Sequence, residues 1–245
     1  MQSNCQLHPD MRDYDAYHNE DLPPLRLLNN KEILTIVTLS SSIAHELNNY
    51  FATISIYTNL SENKPEIINK AVKSASYLVK SLQLYIKEIV SGNPRKDRYK
   101  LSSITKNIEE ALENYPFSSR EKKLVTIESS KDFQYIGEPI LTYHILYNLI
   151  KNSLYAINKA NKGNITIKLN LGKKLNQLIL RDTATGITKE FLPYIFTPFA
   201  SQTPGGSGIG LAFCKNIMLS YGGDITCKSA EDQYTEMILS FPLVA

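Results

Sequence analysis

Gly205-Gly206-Ser207-Gly208-Ile209-Gly210-Leu211 leads straight into residues 209–221, an apolar stretch that reads as a helix. Glycines at four of the first six positions leave a row of backbone N–H groups uncovered. The start of the helix they feed carries the positive end of its dipole, so the combination is a cradle for phosphate or another anion. The run lacks the Lys-Ser/Thr ending of a Walker A loop and belongs to no dinucleotide fingerprint. Standing alone it also reads as a mobile loop, so its meaning depends on what surrounds it.

What surrounds it is a mixed module, residues 98–245. Residues 101–114 have a helical pattern, and 124–128 and 133–136 are short strand candidates. Residues 138–160 form a long helix. Residues 165–171 and 177–182 alternate like strands around Gly172-Lys173-Lys174, which makes them a hairpin. After the helix at 209–221, strands at 224–228 and 236–241 flank a polar turn. Helices with a mostly antiparallel sheet make this an α+β sandwich.

Upstream, residues 31–92 predict two long helices. Ile36, Ile43, Leu47, Tyr50, Ile54 and Tyr57 recur at spacings of three and four, with Ser40 in the one gap. Ile68, Ala71, Ala75, Leu78, Leu82, Tyr85 and Ile89 do the same, which is a heptad seam. Pro65 suits a first helical turn, with Ser61 or Asn63 as cap, and Gly92-Asn93-Pro94 ends the segment. The short connection makes the helices antiparallel neighbours. Val37, Phe51, Val72 and Val79 are left over, and pairing with a second copy into a four-helix bundle would cover them. Residues 1–30, polar and rich in breakers, read as a flexible or loosely docked extension.

Composition excludes other classes. Of 245 residues 42% are hydrophobic and 21% charged, values of a globular chain rather than a disordered one. A net charge of +3 is too small to argue for nucleic acid or an anionic membrane. No run approaches the roughly 20 apolar residues of a membrane helix, and the acidic N-terminus does not read as a signal peptide. Cys5, Cys214 and Cys227 have neither disulfide nor zinc spacing. The expected setting is the cytoplasm.

Four polar features stand out. At 100° per residue His45 lies about 160° from Ile43 and Leu47, so it points away from the seam toward solvent. Beside it is Glu46, and Asn49 follows one turn on along the same face. A neutral imidazole beside a carboxylate can act as a nucleophile, although an isolated surface histidine would have no such role. Asn148 and Asn152, at i and i+4 on an otherwise apolar helix, are costly unless partnered. Satisfied core amides are the alternative. Asp182, in Arg181-Asp182-Thr183-Ala184-Thr185-Gly186-Ile187, ends a strand before a glycine turn. It can accept a hydrogen bond from an exocyclic amine or simply make an Asx-turn. The fourth feature is the glycine run itself.

In this order the segments resemble the transmitter core of a bacterial sensor histidine kinase. Ala44-His45-Glu46-Leu47-Asn48-Asn49 looks like its H box, residues 148–152 the N box, 182–186 the G1 box, Phe196-Thr197-Pro198-Phe199 the F box and 206–210 the G2 box. The stretch from Gly206 to Pro242 is similar to kinases of quorum-sensing type. The resemblance implies a Bergerat-type (GHKL) ATP-binding sandwich behind a dimerising hairpin. It implies that Asp182 accepts the adenine amine beside Gly186, that Asn152 ligates Mg²⁺, and that Asn148 contacts phosphate or supports the metal. Gly206, Gly208 and Gly210 would cradle the phosphates. His45 would attack the γ-phosphate with Glu46 as base, and the phosphoryl group would pass to an aspartate of a response-regulator receiver domain. Glu46 and Asn49 also match a phosphatase pattern in which Asn49 orients water.

The sequence departs from that pattern in four places. Tyr50 replaces the proline that kinks the first helix. Ala184 replaces a glycine, which would cost about 1 kcal/mol or more if φ must be positive there. The lid, residues 197–205, has no Lys or Arg. Tyr155 stands where a basic residue often helps with phosphates. It can stack on adenine or be a core tyrosine, and Lys151 can supply the missing charge if it points inward. A catalytically weak phosphotransfer or scaffold protein with a degenerate ATP domain is therefore the alternative. A chaperone-like or mismatch-repair-like ATPase is disfavoured by the His45 hairpin.

Overall fold

A computed structural model describes residues 99–244 apart from 129, 130, 204, 205 and 207. It also describes scattered positions between 36 and 86, every one of them helical. Among these, seam positions Ala71 and Ala75 are buried, and Leu47 and Ile54 are packed against buried apolar residues. Phe51, Ile56, Val72 and Val79 are exposed. The extension 1–30 lies outside the described residues.

From residue 99 the chain builds two layers. Strand β1 (Lys100–Ser103) is followed by α1 (Ile104–Asn114), α2 (Ser119–Lys122), β2 (Val125–Ile127) and β3 (Gln134–Gly137). Then come α3 (Pro139–Ala160), β4 (Ile165–Asn170), β5 (Leu175–Asp182), a 3₁₀ turn (Leu192–Tyr194), α4 (Gly210–Ser220), β6 (Asp224–Ala230) and β7 (Tyr234–Pro242). One sheet has the order β2-β4-β5-β7-β6, and its pairs are antiparallel except β2 with β4. Strands β1 and β3 form a separate antiparallel ribbon.

The sheet's inner face follows the strand period of two. Ile165 and Ile167 of β4, Leu178 and Leu180 of β5 and Leu239 and Phe241 of β7 are buried. Against them lie Ile104 and Ile108 of α1, Leu146, Leu149 and Ile150 of α3, and Phe213, Ile217 and Met218 of α4. Each such side chain contributes about 1.5–3 kcal/mol relative to exposure, counted against an extended chain. Where α1, α3, α4 and the ribbon meet, the core holds a satisfied hydroxyl network. Tyr135 donates to Asn107 at 2.7 Å, and the Tyr221 hydroxyl donates to the Glu138 carbonyl at 2.8 Å. Burial pushes both phenols up, so both stay neutral.

The first helix of this module starts later than its pattern suggests. Residues 100–103 are strand, and Ser103, extended at φ −79° and ψ 128°, caps α1 by accepting the Lys106 N–H at 3.1 Å. The apolar Leu101 pairs with Ile136 across the ribbon instead of starting a helical stripe. Strands β5, β6 and β7 run one to two residues beyond their expected limits. No described helix is long and apolar enough to cross a membrane.

Candidate functional site

Helix α3 supplies one wall of a cavity of about 540 Å³. Asn148, Asn152, Tyr155 and Lys159 all line it, at the 3.6-residue spacing of a single stripe. Opposite stand Asp182, Thr185 and Gly186 at the end of β5, and Gly206, Gly208 and Gly210 of the glycine run. Every cofactor-site residue expected from the sequence therefore faces one space. His45, Glu46 and Asn49 lie outside the described residues.

Alternation along β5 turns Leu178, Leu180 and Asp182 to the same inner face, so a carboxylate occupies what would be a core position. Asp182 is only 3% exposed. It is not left unpaired. Ser153 of α3 donates its hydroxyl hydrogen to Oδ2 at 3.0 Å, and the Ala184 N–H donates to Oδ1 at 3.2 Å. Burial holds the Asp182 carboxyl above the usual carboxylate range, opposed by these two donors, by the Thr235 backbone and by the charge of Arg181. Desolvation and Asp182 together push the thiol of Cys227, on β6, up to about 12, so it is an inert thiol at neutral pH.

Two glycines are fixed by geometry. Gly186 adopts φ +63°, and a Cβ there would run into the Ala230 carbonyl. Gly208 adopts φ +68°, and a Cβ would collide with the Phe199 backbone, whose N–H donates to the Gly208 carbonyl at 3.0 Å. Ala184 is buried and has no positive φ, so the alanine there brings no backbone strain. Tyr155, 39% exposed on the cavity wall, is not a core tyrosine.

The Asn148 amide is partnered within its own helix and also lines the cavity. Its nitrogen donates to the His144 carbonyl at 3.0 Å, as a satisfied core amide does. Its oxygen lies where a Cβ on Gly210 would sit, 2.6 Å away, so the start of α4 approaches α3 because position 210 has no side chain. The cavity ends at the N-terminus of α4, with Tyr155 and Asn152 on its wall and the buried acceptor Asp182; in the run before α4 the Gly206 N–H donates to the Thr203 carbonyl at 2.9 Å. That donor set fits a nucleotide triphosphate: a base toward Asp182, phosphates toward the glycine run. Among the described residues, no group of three or more His, Cys, Asp or Glu could hold a metal ion. A divalent ion here would have the Asn152 amide oxygen as its protein donor and would take its remaining ligands from phosphates and water, all oxygens, as Mg²⁺ prefers.

Sequence reasoning missed Ser153, Lys159, Glu231 and Asp232, all of which line the cavity. Lys159 continues the stripe of Asn148, Asn152 and Tyr155 by four residues, so the same spacing would have found it. Lys151 also lines the cavity.

A fold of this kind with a phosphate cradle and a buried acceptor defines a nucleotide-binding ATPase domain. Residues 137–245 match the family described as "Histidine kinase-, DNA gyrase B-, and HSP90-like ATPase". Within that class, the relatives it matches by sequence include sensor kinases and a sporulation kinase. It is 30% identical over 219 residues to the autoinducer 1 sensor kinase/phosphatase LuxN of Vibrio harveyi, covering 84% of this chain and 26% of that protein. With the CAI-1 autoinducer sensor kinase/phosphatase CqsS of Vibrio cholerae it shares 33% identity over 146 residues, 59% of this chain and 21% of that one. Sporulation kinase D of Bacillus subtilis is 30% identical over 227 residues, 86% of this chain and 42% of the relative. The chain thus spans less than half the length of each of these relatives.

Asp182 carries a stability signature of its own. A folded pKa raised above the unfolded value means the buried charge subtracts from stability above the folded pKa, a loss that vanishes as pH falls through it. Asp182→Asn is expected to unfold at higher denaturant than the wild type at pH 7.5, with the difference shrinking toward pH 4. A variant less stable than wild type at pH 7.5 would contradict the assignment. Gly186→Ala should instead lose about 2–5 kcal/mol, from left-handed strain plus overpacking.

Proposed function

We propose that the chain is an ATP-dependent histidine autokinase that phosphorylates His45 and passes the phosphoryl group to a response-regulator aspartate. The observation that carries this is the single cavity lined by Asn148, Asn152, Tyr155, Asp182, Gly186 and the loop glycines, in a chain whose relatives are sensor kinases. Bound ATP with Mg²⁺ supplies the transferable γ-phosphoryl group and neutralises its charge. Asp182 accepts the adenine amine, Gly186 keeps the wall close, and Tyr155 stacks on the base. Asn152 holds the metal, with Asn148 supporting it from the previous turn. The amides of Gly208 and Gly210 bind phosphate oxygens, while Gly206, whose N–H donates to the Thr203 carbonyl, shapes the loop around them. The unprotonated imidazole nitrogen of His45 forms the new N–P bond, the proton on the other ring nitrogen passes to Glu46, and the bond to the ADP oxygen breaks. Positioning and electrostatics provide most of the rate, as in other phosphoryl transfers.

Incubation with γ-labelled ATP and Mg²⁺ tests this. Acid-labile, base-stable label is expected on the wild type, none on His45→Gln, and roughly 10²-fold less on Asn152→Ala. An unlabelled wild type that still binds ATP would favour the scaffold alternative.

The names of LuxN and CqsS, both sensor kinase/phosphatases, favour a second activity at the same helix. Asn49, one turn past His45, would orient water against a phospho-aspartate on the regulator. Asn49→Ala is then expected to slow dephosphorylation of a phospho-regulator at least tenfold while leaving autophosphorylation within about twofold, judged against a general rate convention of tenfold per 1.4 kcal/mol. Equal loss of both activities would count against it.

We also infer a homodimer joined through residues 31–92. Phe51, Ile56, Val72 and Val79 are exposed at helical positions of the single chain, and a four-helix bundle would cover them. Light scattering at micromolar concentration should give twice the chain mass of 27.7 kDa. A monomer would refute the bundle.

A further inference from the structure

We propose that Ser153 is a specificity-determining residue which, paired with Asp182, makes the cavity select a 6-amino purine over a 6-oxo purine. This rests on the nucleotide reading above and adds to it a residue that the sequence pattern did not mark.

Ser153 lies on the buried face of α3, in line with Leu146, Leu149 and Ile157, and is 4% exposed. A serine within a helix commonly returns its proton to the carbonyl four residues back. Ser153 instead reaches across to β5 and donates to Asp182 Oδ2 at 3.0 Å. Both residues line the cavity. A hydroxyl has one hydrogen, and a carboxylate that already receives the Ala184 N–H has none to return. The direction of the Ser153–Asp182 bond is therefore fixed, and what Ser153 Oγ has left to offer is lone pairs. The deep end of the cavity presents two adjacent acceptors, on Asp182 and Ser153.

An exocyclic amine brings two N–H groups to such a pair. A 6-oxo purine brings one N–H, at N1, and sets its carbonyl oxygen against the second acceptor. Buried sites built for a hydrogen-bonding group discriminate strongly against a ligand that leaves the group unpaired.

The test compares ATP with inosine triphosphate, which differs at this edge of the base alone, by calorimetric titration of the full chain. The wild type is expected to bind ATP roughly 10²-fold more tightly. Ser153→Ala should bring that ratio down about tenfold, mainly through weaker ATP binding, and Ser153→Thr should restore it. Ser153→Cys keeps the volume and weakens both hydrogen-bonding roles, so it gives the same reading should the alanine variant fail to fold. A ratio unchanged in Ser153→Ala and Ser153→Cys, with ATP bound by the wild type, overturns the proposal and leaves the nucleotide reading intact. A wild type that binds the two nucleotides equally also overturns it. A wild type that binds neither overturns the nucleotide reading and this proposal with it.

Discussion

The carboxylate of Asp182 faces inward from a strand whose other inward residues are Asn176, Leu178 and Leu180, and much of the site is arranged around that placement. Taking a carboxylate out of water is costly unless donors replace the lost solvent. Here two donors come from elements distant in sequence, Ser153 from α3 and the backbone of Thr235 from β7, and a third, the Ala184 amide, from the turn that follows at once. Helix α3 must lie close enough to β5 for one hydroxyl to span the gap. The chain must turn sharply after Asp182, and Gly186 makes that possible by adopting φ +63° against the Ala230 carbonyl. An acceptor held this way cannot move to suit a ligand, and it costs stability when no ligand is bound.

The opposite end of the cavity is governed by a close approach. Gly210 opens α4 against the Asn148 amide oxygen, with no room for a side chain. The absence of a side chain at position 210 thus lets the helix start come close to the wall that carries Asn152 and Tyr155. Farther along, α4 ends in Tyr221, whose hydroxyl bonds the Glu138 carbonyl just before α3. The two helices are therefore joined at two places, the start of α4 to the middle of α3 and the end of α4 to the residue before α3.

Much of this could be read from the sequence because it depends on local periodicity. Alternation placed the strands, the i, i+4 amides marked one wall, and the glycine run marked the other. The boundary at Leu101 could not be read that way. Its apolar side chain fits a helical stripe, and only the partner Ile136 on β3 settles it as strand. Ser153 was hidden for a related reason. A small residue on an apolar helical stripe looks like filler, and the bond that gives it meaning reaches 29 residues along the chain. The concern over Ala184 came from a family pattern that usually has glycine there. In this chain the position takes no positive φ, so the substitution costs no backbone strain. Periodicity placed His45 facing solvent, and its setting rests on that sequence reading.

A crystal structure of the protein with ADP and Mg²⁺ tests most directly whether a base is held at Asp182. It should place the adenine 6-amino nitrogen within ordinary hydrogen-bond distance, about 2.7–3.2 Å, of the Asp182 carboxylate. The Ser153 hydroxyl should still be bonded to Oδ2 and the phosphates should lie over Gly206, Gly208 and Gly210. A nucleotide bound with its base away from Asp182, or with its phosphates off the glycine run, would contradict it.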